Sequence, residues 1–149
     1  MPADLEEAFG FPPADTLISI HAELIARYGG AAGVRDPGAL EAALARPANL
    51  LAYGSPGASI ERLAVTVCYS IARIRHPFVD GNKRVGFAAL VIILEMNGLI
   101  LDVGEVHAAN IMNDVSAGRL SEDALATWVS ANTYPIEDAE PPDAEALGR

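Results

Sequence analysis

Cysteine, lysine and aromatic residues are scarce in this chain, and each scarcity excludes something. A single cysteine, Cys68, cannot close a disulfide within the chain. It stands in an apolar stretch, the setting of a buried, inert thiol and not of a nucleophile, which needs electropositive and partly exposed surroundings. That usage fits a reducing cytoplasm. Aromatics make up 6% of the 149 residues while Ala, Leu, Ile and Val are plentiful, a balance that points to helix over sheet. Cations are also few: 10 Lys and Arg stand against 20 Asp and Glu, a formal net charge of −10. A surface of that sign disfavours nonspecific contact with DNA or membranes. The apolar runs 63–74 and 85–94 are too short to span a bilayer, and charged residues separate them. Asp4, Glu6 and Glu7 stand where a secretion signal would carry cations. No internal repeat, GxGxxG or Walker pattern is present. The chain is therefore expected to be cytoplasmic, with no direct nucleic-acid or membrane partner.

What is present is apolar residues at 51%, enough for the core of one domain. Local punctuation predicts an all-α bundle. Asp15 or Thr16 opens a helix to about Tyr28, closed by Gly29 and Gly30. Asp36 caps a second helix with Pro37 in its first turn, ending near Arg46 and Pro47. Residues 47–58, with Gly54, Pro56 and Gly57, read as an irregular insertion, a loop or short hairpin. Ser59 caps a buried helix over about 60–74. A second apolar helix over about 84–97 stops at Asn97 and Gly98; residues 99–103 read as briefly extended. Helices over about 104–117 and 122–132 follow, the last capped by Ser121. Residues 1–13 read as flexible and 14–134 as the domain. The acidic tail 135–149 reads as disordered.

Chemistry concentrates between the two apolar helices, in His76, Pro77, Phe78, Val79, Asp80, Gly81, Asn82, Lys83 and Arg84. Lys83 is the only lysine; the other nine cations are arginines. Arg73, Arg75, Lys83 and Arg84 face Asp80 alone over residues 73–84, a cationic patch on an acidic protein. A helix starting near Asn82–Arg84 offers unpaired N–H groups and the positive end of its dipole. Gly81 allows the backbone to approach a ligand closely. The Asn82 amide adds a directional donor, and Lys83 and Arg84 add full charges, so the whole suits a polyphosphate. Two cations at a positive helix end are unfavourable unless an anion joins them. Asp80 makes sense beside phosphate if it holds magnesium. His76 is placed to take a proton from an incoming hydroxyl. Phe78 should point into the core and pin the loop, and His21 and His107 read as structural.

This string resembles the Fic motif, His-x-Phe-x-Asp/Glu-Gly-Asn-Gly-Arg-x-x-Arg, and more closely the death-on-curing (Doc) toxin branch of the Fic/Doc superfamily, which has Asn-Lys-Arg. Residues 27–38 and Glu95, Met96, Asn97 and Gly98 are also similar to Doc proteins, so the likeness spans roughly 17–133. It implies a Fic/Doc-like helical bundle with a flap at 47–58, residues 50–55 aligning a target peptide by strand-like pairing. Lys83 stands where Fic enzymes have glycine, and Phe87 where they have the last arginine. Both changes disfavour the Fic adenylyl-transfer mode of binding. The Doc resemblance implies transfer of the ATP γ-phosphate to a threonine hydroxyl of elongation factor Tu, arresting translation. His76 would be the base, Asp80 the magnesium ligand, and Gly81, Asn82, Lys83 and Arg84 the phosphate ligands. The inhibitory-helix pattern of some Fic proteins is incomplete at Ser19–Leu24, so restraint is expected in trans, from an antitoxin similar to prevent-host-death proteins. Two alternatives remain open: adenylyl transfer to a protein hydroxyl, and a catalytically silent peptide-binding module.

Overall fold

A computed structural model describes residues 9–139. Six α-helices and one small sheet follow in order: α1 (Ala14–Tyr28), α2 (Pro37–Tyr53), α3 (Ile60–Tyr69) continued by a π-helical turn (Ser70–Arg75), α4 (Asn82–Met96), β1 (Leu99–Leu101), α5 (Glu105–Ser116), α6 (Glu122–Ala131) and β2 (Thr133–Pro135). The expected all-α bundle is what the chain forms. None of these helices is long and apolar enough to cross a membrane.

Several boundaries follow directly from their caps. Asp36 accepts the Ala39 N–H at 3.1 Å with Pro37 in the first turn of α2. Ser59 accepts from Arg62 and Ser121 from Ala124, at 3.2 and 3.1 Å. Each satisfies one N–H that a helix start would leave unpaired. α3 lies at the centre, with Leu63, Ala64, Val65, Val67 and Cys68 fully buried against α2, α4 and α6. α4 contributes Val85, Ala89, Leu90, Ile93 and Leu94 to the same core. Gly86 sets the spacing of the two helices: a Cβ there would stand 3.1 Å from both the Cys68 carbonyl and the Ala72 methyl.

The structure corrects four expectations. α2 does not stop at Pro47 but runs through it to Tyr53. Proline cannot donate to the Ala43 carbonyl, so tertiary contacts must hold the helix together. Leu40, Ala43, Pro47 and Leu51 form one buried stripe. Beside it, the Arg46 guanidinium bonds the Thr66 carbonyl at 3.1 Å and the Glu122 carboxylate at 2.6 Å, tying α2 to α3 and α6. The irregular stretch thus shrinks to 54–59, and residues 50–53 are helical, not the strand-like flap expected at 50–55. Secondly, the helix from Ser59 keeps α geometry only to Tyr69, then widens to a π-helix over Ser70–Arg75, where the Ser70 hydroxyl is buried without a partner.

Thirdly, Gly10 is tied down, its N–H and carbonyl both pairing with the Asn97 amide at 2.8 Å. Flexibility expected of 1–13 therefore does not extend to that residue; residues 1–8 lie outside the described part. Lastly, the tail does not lose order at Pro135. β2 pairs antiparallel with β1, Ile100 opposite Tyr134, and a 3-10 turn follows at Ile136–Asp138. The rest of the acidic tail, from residue 140, lies outside the described residues.

Cys68 is fully buried, and burial, aided by the charge of Glu122, pushes its thiol from 9.0 up to about 12. Below pH 9 the folded and unfolded chains both keep this proton; between pH 9 and about 12 only the unfolded chain releases it, so this thiol lowers stability as pH rises through that window. An alkylating reagent at pH 8 should accordingly leave the native thiol unmodified and label it on addition of denaturant. Native labelling at the rate of an exposed thiol would contradict this burial.

Candidate active site at the start of α4

The loop 76–81 joins the π-helical turn to α4, and backbone from the first third of the chain holds it. Pro77 offers its carbonyl to the Arg35 and Asp36 N–H groups at 2.8 and 3.0 Å. Val79 donates to the Gly33 carbonyl at 3.0 Å, and Val34 and Phe78 form an isolated antiparallel bridge. The Phe78 ring is buried, as its apolar character predicts, and stacks on the imidazole of His21 with centroids 4.2 Å apart.

Asp80 is constrained at three atoms. Its Oδ1 accepts the Gly81 N–H at 2.8 Å and its Oδ2 the Ala31 N–H at 3.3 Å. Its backbone carbonyl pairs with His21 Nε2 at 2.8 Å. Because a carbonyl only accepts, that nitrogen of His21 carries the proton. Gly30 gives way to the carboxylate: it has φ +111°, and a Cβ on it would lie 2.6 Å from Asp80 Oδ2.

His76 leaves the π-helical turn with φ 46° and ψ 62°, the left-handed region. It is the only residue other than glycine with positive φ among the described residues. Its Nε2 lies 3.0 Å from the Ala72 carbonyl, so Nε2 carries a proton, and in the neutral ring Nδ1 keeps the lone pair. A base needs that lone pair, and here the fold presets the tautomer.

Gly81, at φ 78°, turns the chain into α4, and no side chain caps the helix. The N–H groups of its first turn are therefore left for a ligand, at the positive end of the helix dipole. Lys83 Nζ donates to Asn113 Oδ1 at 3.0 Å, which steadies it against α5. The Arg84 guanidinium lies 4.8 Å from the centre of the Tyr28 ring. Neither cation forms an ion pair among the described residues. His76, Asp80, Gly81, Asn82, Lys83 and Arg84 all line one groove of about 990 Å³, whose other walls come from α1, α5, Arg35 and Ala72 of the π-helical turn. Phe87, at the position of the last Fic arginine, lines it too.

The structure corrects the part expected of Asn82. Its amide is not wholly free: Oδ1 accepts the Phe78 N–H and Nδ2 donates to the Phe78 carbonyl, both at 3.0 Å. The side chain locks the loop with Oδ1 and one Nδ2 hydrogen, which leaves the backbone N–H and the second Nδ2 hydrogen of Asn82 for an anion. His21, read as merely structural, also proves to hold the Asp80 carbonyl in place. His107 instead pairs with the Trp128 indole at 3.3 Å, away from the groove. Arg35 and Asn113 were not singled out by sequence, since nothing in local spacing connects them to the loop 41 and 30 residues away.

Two carboxylates line the groove, Asp80 in the loop and Glu105 on α5. Among the described residues no three His, Cys, Asp or Glu side chains converge. Asp80 would supply one carboxylate, and phosphate oxygens and water the remaining ligands, the usual arrangement for magnesium bound with a nucleotide.

Replacing Asn82 by alanine strands the N–H and carbonyl of Phe78 at once. Asn82→Ala should cost about 1–3 kcal/mol of stability in urea unfolding. Wild-type stability combined with lost nucleotide affinity would instead make Asn82 a ligand and not a lock.

The model of the Fic/DOC family matches residues 11–94, from the approach to α1 through most of α4. Among curated proteins, "Protein kinase doc" of Escherichia phage P1 is 32% identical over 114 residues, covering 75% of this chain and 86% of that protein. "Toxin Doc" of Mycolicibacterium smegmatis is 38% identical over 104 residues, covering 66% of this chain and 77% of the relative.

Proposed function

The chain belongs to the Fic/DOC family, in its Doc branch, and we propose that it is a toxin that transfers the γ-phosphate of ATP to a threonine hydroxyl of elongation factor Tu. Carrying this reading is the uncapped first turn of α4 with Lys83 and Arg84 beside it and a prepared histidine at the other end of the same loop. The printed names of the relatives, a protein kinase and a toxin, point the same way.

In this reading the backbone N–H groups of Asn82 to Arg84 and the two cations bind the phosphates and withdraw charge from the group in transfer. Asp80 is the residue that would hold magnesium, which supplies further charge neutralisation when bound. His76 Nδ1 takes the hydroxyl proton as the threonine oxygen bonds the γ-phosphorus; the bond from that phosphorus to the β-bridging oxygen breaks, and ADP leaves. Lys83 and Phe87, in place of the Fic glycine and last arginine, favour a nucleotide that presents its γ-phosphate over one that presents its α-phosphate. Adenylyl transfer is the reading set against it. A second alternative, a silent peptide-binding module, has no use for an uncapped cationic helix start. The reading also includes an antitoxin similar to prevent-host-death proteins as partner, and a cytoplasmic location.

Incubation with elongation factor Tu, magnesium and ATP labelled at either the α- or the γ-position should label the factor from the γ-position only. His76→Ala should lower that rate by about 10²–10⁴-fold, as expected for loss of a general base, with the fold retained. Label from the α-position would establish adenylyl transfer; no label from either position would leave the binding module.

A further inference from the structure

We propose that Arg35 is a positioning residue: it holds His76, which lines the groove, in the left-handed conformation that keeps Nε2 on the Ala72 carbonyl and leaves Nδ1 as the proton acceptor. This rests on the role given to His76 above. Three consecutive carbonyls at the end of the π-helical turn converge on this one residue. The guanidinium Nη2 donates to the Arg75 carbonyl at 3.0 Å, Nε donates to the His76 carbonyl at 3.1 Å, and Nη2 also contacts the His76 carbonyl. Arg35 closes the set through its backbone N–H, on the Pro77 carbonyl at 2.8 Å.

Each part of this arrangement needs the others. Carbonyls at a helix end have lost their intrahelical donors and carry partial negative charge, which a cation complements. The left-handed region is unfavourable for a residue with a Cβ, so His76 stays there only while its surroundings enforce it. With φ 46° and ψ 62°, the chain reverses at once after the turn while the ring still reaches back to the Ala72 carbonyl, four residues earlier. That contact sets the tautomer. Removing the guanidinium frees the Arg75 and His76 carbonyls, lets His76 relax toward ordinary backbone angles and releases the ring. The phosphate cradle stands on other supports, namely Gly81, the clasp of Asn82 on Phe78 and the bond from His21 to Asp80. Arg35 itself lines the groove, but its guanidinium is engaged by the Arg75 and His76 carbonyls, so its loss should act on the base more than on the nucleotide site. Its planar fork matters, because a lysine presents one point charge and cannot bridge two carbonyls in the same way.

Two readouts test this on the full chain. The first needs no activity: the ring ¹⁵N and backbone ¹³C shifts of His76, without nucleotide, in wild type, Arg35→Lys and Arg35→Ala. Wild type should show the Nε2-protonated tautomer and left-handed backbone shifts. Both variants should lose them, and guanidinium ion at millimolar concentration should partly restore them in Arg35→Ala. The second is the transfer assay, where kcat should fall by roughly 10–100-fold through misplacement of the base while KM for ATP stays within about twofold. Unchanged His76 shifts in Arg35→Lys, a variant that retains the charge, would overturn the proposal. So would altered shifts with wild-type kcat, or a loss carried wholly by KM. If wild type transfers nothing, the kinase reading fails, and the resonances alone still decide whether Arg35 sets His76.

Discussion

An α-helix whose positive end is left uncapped, with two cations added to it, is unfavourable unless an anion completes it. The start of α4 is such an end. No side chain caps Gly81, and Lys83 and Arg84 find no carboxylate among the described residues. The helix starts at Asp36, Ser59 and Ser121 are closed by their own side chains; those of α1 and α5, at Pro13 and Gly104, are also uncapped but carry an acidic residue in the first turn, Asp15 and Glu105, where α4 carries cations. The surrounding loop is built to keep this end open. The capping position is held by Gly81, which has no side chain, and Asn82 after it turns its amide back onto Phe78. Asp80 is held by Gly81, Ala31 and His21 instead of folding over the helix end.

Rigidity explains why so much distant chain contributes. Phosphoryl transfer asks the protein mainly to hold its groups in place and to neutralise charge. The loop 76–81 has no core of its own beyond Phe78, so its geometry is borrowed. His21 of α1 and the 30–36 segment each fix one part of it, and Asn113 of α5 steadies Lys83 just beyond it. The wide π-helical turn before His76 fits the same picture, since such turns concentrate at functional sites.

Much of this was legible in the sequence. Caps at Asp36, Ser59 and Ser121, the stop at Asn97 and Gly98, the burial of Phe78 and Cys68, and the clustering of the six motif residues all follow from local chemistry. What was not legible depends on partners far along the chain. Pro47 is tolerated inside α2 because a buried stripe and the Arg46–Glu122 pair hold the helix on both sides of it. The short strand β2 exists because β1 lies alongside it. Asn82 looks like a ligand in a linear motif, and only the folded loop shows its amide facing Phe78. His21 is an ordinary helix histidine until Asp80, 59 residues away, is set beside it.

The central claim is that the uncapped turn of α4 holds the phosphates of ATP with the terminal group turned toward His76. A crystal structure with magnesium and a non-hydrolysable ATP analogue tests it most directly. The account predicts phosphate oxygens on the backbone N–H groups of Asn82 to Arg84, near Lys83 Nζ, with the γ-phosphate nearest His76 Nδ1. Density for the nucleotide in the opposite sense, with its α-phosphate at His76, or bound away from this turn, would contradict it.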